Sequence, residues 1–166
     1  PDTVTIIGTR AFSNCESLKE INLPDNVNTI ESSAFSGCTS LSEFKLPKEL
    51  SIIGMTAFES CTELKSMVIP NKVESIGSEA FSDCTQLENI IINNPTVYFG
   101  SDIFENDYLL KMYCFKNSTA EEYANTYGID YESSLGIYSD KINITEQPDD
   151  TFHVACFPSA TVTSVG

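Results

Sequence analysis

Residues 50–72 read LSIIGMTAFESCTELKSMVIPNK, and residues 73–95 read VESIGSEAFSDCTQLENIIINNP. Laid over one another they agree at Ile53 and Ile76, Gly54 and Gly77, Ala57 and Ala80, Phe58 and Phe81, Cys61 and Cys84, and Leu64 and Leu87. The same step of 23 residues runs back through Phe35 and Phe12, Cys38 and Cys15, Ala34 and Ala11, Leu41 and Leu18, and Ile30 and Ile7. Pro24, Pro47 and Pro70 punctuate the units, which share the form VxxIGxxAFxxCxxLxxIxLP. Self-similarity over so many columns at one short period is the signature of a solenoid, in which each unit is covered by its neighbours.

Within a unit, Leu41, Phe44 and Leu46 have the spacing of a short strand whose alternate residues face inward, and Pro47 ends it. Ala34, Phe35 and Cys38 have the i, i+1, i+4 spacing of a single helical or 3₁₀ turn. Each coil is therefore expected to close with a strand on one side and a short turn on the other. A lone coil buries too little apolar surface to offset the ordering of its backbone, so stacking at about 4.8 Å per coil has to supply the rest.

Four full coils are expected over residues 4–26, 27–49, 50–72 and 73–95, and a degenerate fifth over 96–118. In that fifth coil Phe99, Gly100, Phe104, Leu110, Tyr113 and Phe115 are read as holding their columns, while Ile103 and Asp107 replace Ala and Cys. Ser118 or Thr119, followed three residues later by Glu121 or Glu122, makes a capping box, and Gly128 fits a helix stop. Residues 119–127 are expected to form a helix that shields the last coil, within a cap and exit segment at 119–132. The domain plan is a solenoid at 1–118, that cap, and a tail at 133–166. Pro1, Asp2 and Val4 match Pro24, Asp25 and Val27, so the chain is expected to enter in the middle of a preceding coil.

The unit IGxxAFxxCxxLxxIxLPxxVxxIGxxAF resembles the BspA-like leucine-rich repeats, a subfamily common in bacterial surface and secreted proteins and found in some parasitic protists. The resemblance covers residues 1 to about 131, and STAEEYANTYGIDYE at residues 118–132 is similar to the segment with which such arrays end. It implies an α/β repeat fold, a right-handed leucine-rich-repeat solenoid with a C-terminal capping helix, in an extracellular or cell-surface setting. It also implies adhesion or binding of a host, matrix or neighbouring-cell protein or glycan, with no shared catalytic residues. Glu31 departs from the pattern by standing where glycine is usual.

Composition bounds the partners. The chain has 24 acidic and 9 basic residues, a net charge of −15, spread over both halves. Nucleic acid is excluded as a natural partner because its phosphates would be repelled. Apolar residues make up 41% of the chain, enough for a core, yet no run of eighteen or more apolar residues occurs to span a bilayer. The four in-register cysteines each sit on a separate coil, too far apart for a disulfide and unlike the paired ligands of a zinc site, so they are expected to be inert core thiols. Cys114 and Cys156 lie off that ladder, and either they pair or they are two free thiols. His153 and Cys156 are three residues apart, which on a strand puts them on opposite faces, and no third group orients them for catalysis. Asp149 and Asp150 do not make a calcium loop. No enzyme, metal or cofactor is expected. Sequons at residues 117–119 and 143–145 matter only in a glycosylating secretory pathway.

The expected ligand site is the strand face between the core columns. One outward column runs Glu20, Glu43, Ser66, Asn89, Met112, and the next runs Asn22, Lys45, Val68, Ile91, Cys114. Both turn from charged to apolar toward the C-terminus, which predicts a contiguous apolar patch of Val68, Ile91, Met112 and Cys114. Either the tail covers it, through strand-like stretches at IYSDKINI and TFHVACF, or it is the ligand site itself. ITEQPDD is weakly similar to the opening strand of an Ig-like module, so the tail could also begin a following domain. The leading function is an interaction module using this face, and the alternative is a structural spacer presenting other domains. An uncapped N-terminal coil also predicts end-to-end self-association.

Overall fold

The computed structural model describes residues 3–134. Expectations for the tail, for His153 and Cys156, for Asp149 and Asp150 and for the sequon at 143–145 lie outside the described residues. The described elements are β1 (Ile6–Ile7), β2 (Thr29–Ile30), β3 (Ile52–Ile53), β4 (Ser66–Ile69), β5 (Ser75–Ile76), β6 (Asn89–Ile92), β7 (Tyr98–Phe99), β8 (Lys111–Phe115), α1 (Thr119–Tyr127) and β9 (Asp130–Ser134). They form a parallel-strand solenoid with two ladders. One sheet has the order β1-β2-β3-β5-β7, and the other has the order β4-β6-β8-β9.

The first sheet comes from the branched column that begins at Ile7. Ile7 pairs with Ile30, Ile30 with Ile53, Ile53 with Ile76 and Ile76 with Phe99, each one coil further on. Sequence periodicity identifies this column as core but not as a strand, because two residues are too few to show alternation. The second sheet is the expected strand face, and it develops only from the third coil onward: residues 20–23 and 43–46 form no strand. One feature sets both coils apart. Their outward residues are Asn22 and Lys45, where the later strands carry β-branched Val68 and Ile91. In the second coil alone, Phe44 also turns its ring edge-on to Phe35 and Phe58, at centroid distances of 5.0 and 4.9 Å, in a column that holds Ile21, Met67 and Ile90 in the other full coils.

The expected helical or 3₁₀ turn is closed by i→i+3 bonds, such as Ala34 N–H to Glu31 O, Ser36 N–H to Ser33 O and Cys38 N–H to Phe35 O. It does not continue as a helix because two residues per coil are left-handed. One column is Arg10, Ser33, Thr56, Glu79 and Asp102, and the other is Asn14, Gly37, Ser60, Asp83 and Asn106, with φ from 53° to 74°. The second column draws on Asn, Asp, Ser and Gly, residues suited to that region by their short polar side chains or lack of a Cβ. The conformation turns alternate N–H groups to the next coil, as in Phe35 N–H to Ala57 O at 2.8 Å and Gly37 N–H to Glu59 O at 2.8 Å.

Phe12, Phe35, Phe58, Phe81 and Phe104 stack through the core, with centroids 5.1, 5.3, 5.3 and 5.8 Å apart. Glycine keeps the coils this close. A Cβ on Gly77 would lie 2.4 Å from the Met55 backbone nitrogen, a distance that only a shift of the coil could relieve. At the end, α1 occupies the span expected from the sequence. Ser118 caps it by accepting from the Glu121 N–H at 3.1 Å, and Gly128 stops it at φ 69°. Glu121 reaches back to the Asn117 N–H, one residue beyond the partner of a standard capping box. Ala120, Tyr123 and Ala124 are buried against the array, and the Tyr123 hydroxyl accepts from the Ile103 N–H at 2.9 Å.

Candidate functional site

On the strand face, Glu20, Asn22, Glu43, Lys45 and Ser66 are exposed, as their columns predict. Val68 and Asn89 are half-buried. Ile91 is only 6% exposed although it lies outside the core cluster.

The two C-terminal members of the expected patch are elsewhere. Strand β8 pairs Asn89 with Lys111, Ile90 with Met112 and Ile91 with Tyr113. The step from the fourth coil to the fifth is thus 22 residues here, because nothing after Leu110 corresponds to Glu88. A slip of one residue exchanges the two faces of a strand. Met112 and Cys114 therefore point into the core, at 0% and 3% exposure, and Lys111 and Tyr113 take the outward columns. The reading of Met112 as a ligand contact, of Cys114 as outward-facing and of Tyr113 and Phe115 as column holders is corrected accordingly. The Lys111 ammonium lies 5.4 Å from the centre of the Tyr113 ring and 3.4 Å from the Glu132 carboxylate. In place of an exposed apolar patch, this end of the face is a covered, partly charged border.

The exposed apolar residues gather on the other sheet. Seven large apolar side chains are exposed among the described residues, and four of them, Ile6, Ile52, Met55 and Tyr98, belong to the outer side of the five-stranded ladder or its edge. Ile6, Thr29, Ile52, Ser75 and Tyr98 form one outward column in register. Two residues further along each coil the column is Gly8, Glu31, Gly54, Gly77 and Gly100, and next to it runs Thr9, Ser32, Met55, Ser78 and Ser101. Of these fifteen positions only Glu31 is charged. Its carboxylate is occupied by the Thr9 N–H at 2.7 Å and the Thr9 hydroxyl at 2.8 Å, and these bonds hold its pKa below the ordinary value. On a chain of net charge −15 this is a long strip with a single charged residue. Its columns keep the same step as the core, so the signal was present in the sequence, but periodicity alone did not mark Ile6 and Ile52 as outward.

Three of the four in-register thiols behave as core groups, and the expectation fails at Cys15, which is exposed. Cys38, Cys61 and Cys84 are buried and donate to the carbonyls of Phe12, Phe35 and Phe58 at 3.1, 3.3 and 3.2 Å. Burial pushes the Cys61 thiol up to about 12 and raises Cys38 and Cys84 as well. Cys15, in the first coil, is exposed, and Cys114 carries a free, buried thiol; its suggested partner Cys156 lies outside the described residues. Among the described residues no three His, Cys, Asp or Glu side chains are grouped to hold a metal ion, and no helix is long and apolar enough to cross a membrane. A dent open to solvent is lined by Asn117, Ser118, Glu121, Glu122, Asn125 and Thr126, at the start of α1 and along its outer face.

Comparison with known proteins agrees with this architecture. The profile of the BspA type leucine rich repeat region matches residues 1–111 in six copies. Among solved structures, the pneumococcal vaccine antigen PcpA is similar with a TM-score of 0.62 at 18% identity, over 80% of this chain and 40% of that one. The leucine-rich repeat protein TpLRR of T. pallidum is similar with a TM-score of 0.56 at 27% identity, over 80% and 69%. A leucine rich cell surface protein of Faecalibacterium prausnitzii gives 0.63 at 28% identity, over 75% and 33%. The chain thus spans well under half the length of two of these three proteins. No curated protein matches it.

Proposed function

The chain belongs to the BspA-type leucine-rich repeat family, and from that premise we propose that it is a non-catalytic, extracellular or cell-surface interaction module that binds a protein or glycan through its strand face. Its contact residues are Glu20, Asn22, Glu43, Lys45, Ser66 and Val68, with Asn89 at the border. The observation that carries this reading is a solvent-facing set of side chains at two residues per coil, held on coils whose phenylalanine rings stack in register. Binding of this type is the sum of many weak contacts and needs no reactive group.

A second reading places the contact on the strip of Ile6, Thr29, Ile52, Ser75, Tyr98 and Met55, favoured by the concentration of exposed apolar side chains there. A third is a spacer that presents other domains of a longer surface protein. One experiment separates them. The purified chain is screened against matrix proteins and a glycan array beside two double variants, Lys45→Glu with Val68→Asp and Ile52→Asp with Tyr98→Ala. Loss of a hit in the first variant alone supports the strand face, and loss in the second alone moves the site to the strip. A hit retained by both variants refutes both sites, and silence of the unaltered chain favours the spacer.

A further inference from the structure

The thiol column Cys15, Cys38, Cys61, Cys84 continues one step of 23 residues later as Asp107. Asp107 is 8% exposed, and neither of its carboxyl oxygens makes a hydrogen bond of ordinary geometry, although the Cys84 N–H acts on the group and favours its ionised form. Each buried thiol of the column donates to a phenylalanine carbonyl 26 residues before it, that of Phe12, Phe35 or Phe58. Phe81 is the next carbonyl in this series and precedes Asp107 by the same interval. It accepts the Cys84 N–H at 3.2 Å, as the Phe58 carbonyl accepts the Cys61 N–H at 3.2 Å while also taking the Cys84 thiol. An ionised carboxylate in this column would be a buried charge without a counterion, whereas a neutral carboxyl is, like a thiol, an uncharged donor.

We propose that a proton on Asp107 latches the fifth coil and its helical cap onto the fourth coil. The neutral carboxyl donates to the Phe81 carbonyl as the thiols do to theirs, and loss of the proton loosens that end of the array while the preceding coils stay closed.

The surroundings keep the proton in place. From the fourth coil the titratable groups facing Asp107 are Cys84, whose thiol burial keeps neutral, and Asp83, whose carboxylate accepts from Asn106 Nδ2 at 2.8 Å. The cap's Tyr123 phenol is bonded elsewhere on the same coil, at the Ile103 N–H, is also held neutral by burial, and does not act on the Asp107 carboxyl. Among the described residues no lysine or arginine acts on the carboxyl. Burial pushes the Asp107 pKa up to about 8, the Cys84 N–H offsetting part of the rise and Asp83 adding to it. The unfolded chain sheds the same proton near 3.8. The latch is therefore fully set below that pH and weakens about tenfold in its closing equilibrium per pH unit up to about pH 8. Coils in a solenoid contact only their neighbours, so the loss is local.

Hydrogen exchange of the full chain from pH 5 to 8, corrected for intrinsic rates, tests this. The amides of Phe81 and Asp83, which donate to Ile103 and Glu105 of the fifth coil, report closure, and those of Phe35 and Gly37, which join the second and third coils, are the reference. Protection of the first pair is expected to fall about tenfold per unit in the unaltered chain. In Asp107→Cys, which restores the column, and in Asp107→Asn it is expected to be flat, with the reference pair unchanged throughout. A flat profile in the unaltered chain, or the same slope in both variants, overturns the latch. Should the variants fail to fold, the ¹³C signal of the Asp107 carboxyl decides: titration near pH 8 supports the proposal, and a midpoint near 4 refutes it.

Discussion

The second, third and fourth coils and the fifth coil are built from one pattern under different constraints. In the three central coils Phe, Ala, Cys, Leu and Ile recur without exception, since every side chain meets a coil on each side. The fifth meets a coil on one side and α1 on the other, and there the columns change: Ile103 stands for Ala, Asp107 for Cys, and one residue is missing after Leu110. Repetition is enforced by the neighbour, so it ends where the neighbour changes. Ile103 remains at 0% exposure beside a helix that buries the small Ala120 and Ala124, showing that the cap accepts volume the next coil would refuse.

The comparison is broken most directly by cutting one member of the aromatic stack at a time. Phe58→Ala, with rings stacked on both sides and 0% exposure, should cost about 3–5 kcal/mol in denaturant unfolding. Phe104→Ala, with one stacked neighbour and 8% exposure, should cost distinctly less. Equal losses would show that the terminal coil is held as tightly as the central ones.

Gly77→Ala sharpens the point on the backbone. The added methyl meets the Met55 main chain, and a loss of about 1–3 kcal/mol in thermal melts is expected. In Gly8→Ala the nearest atom is 4.0 Å away, and melting should be unchanged. Similar melting of the two variants would mean that the coils can shift apart at little cost.

The smallest effect is expected at the cap. Ser118→Ala removes the acceptor for the Glu121 N–H and should destabilise the cap by about 1 kcal/mol, read as faster amide exchange in α1 with the central coils unaffected. Exchange that rises evenly along the array would instead show that the helix and the coils unfold as one unit.

Much of this was legible in the residues. The period, the Phe, Cys, Ala and Leu columns and the bounds of α1 follow from side-chain spacing and from Ser118 and Gly128 as cap and stop. Less legible was the five-stranded ladder, because a pair such as Ile52 and Ile53 looks like one apolar step, although one residue is 43% exposed and the other 1%. The candidate site was half legible: the outward columns hold from Glu20 to Val68 and fail at Met112. Counting in steps of 23 carried the register across a missing residue that the change from LENI at 87–90 to LKM at 110–112 betrays.

The amino-acid sequence by itself determined that the chain coils, how long each coil is, which side chains stack inside it and where a helix closes it, since all of these are one-dimensional periodicities or local capping chemistry. Only the tertiary structure decided which residues of the last strand face inward, that the exposed apolar side chains collect on the narrow sheet, and that Asp107 is enclosed without a hydrogen bond of ordinary geometry. Each of these depends on where a coil comes to rest against its neighbour, and a shift of a single residue there exchanges the buried face for the exposed one.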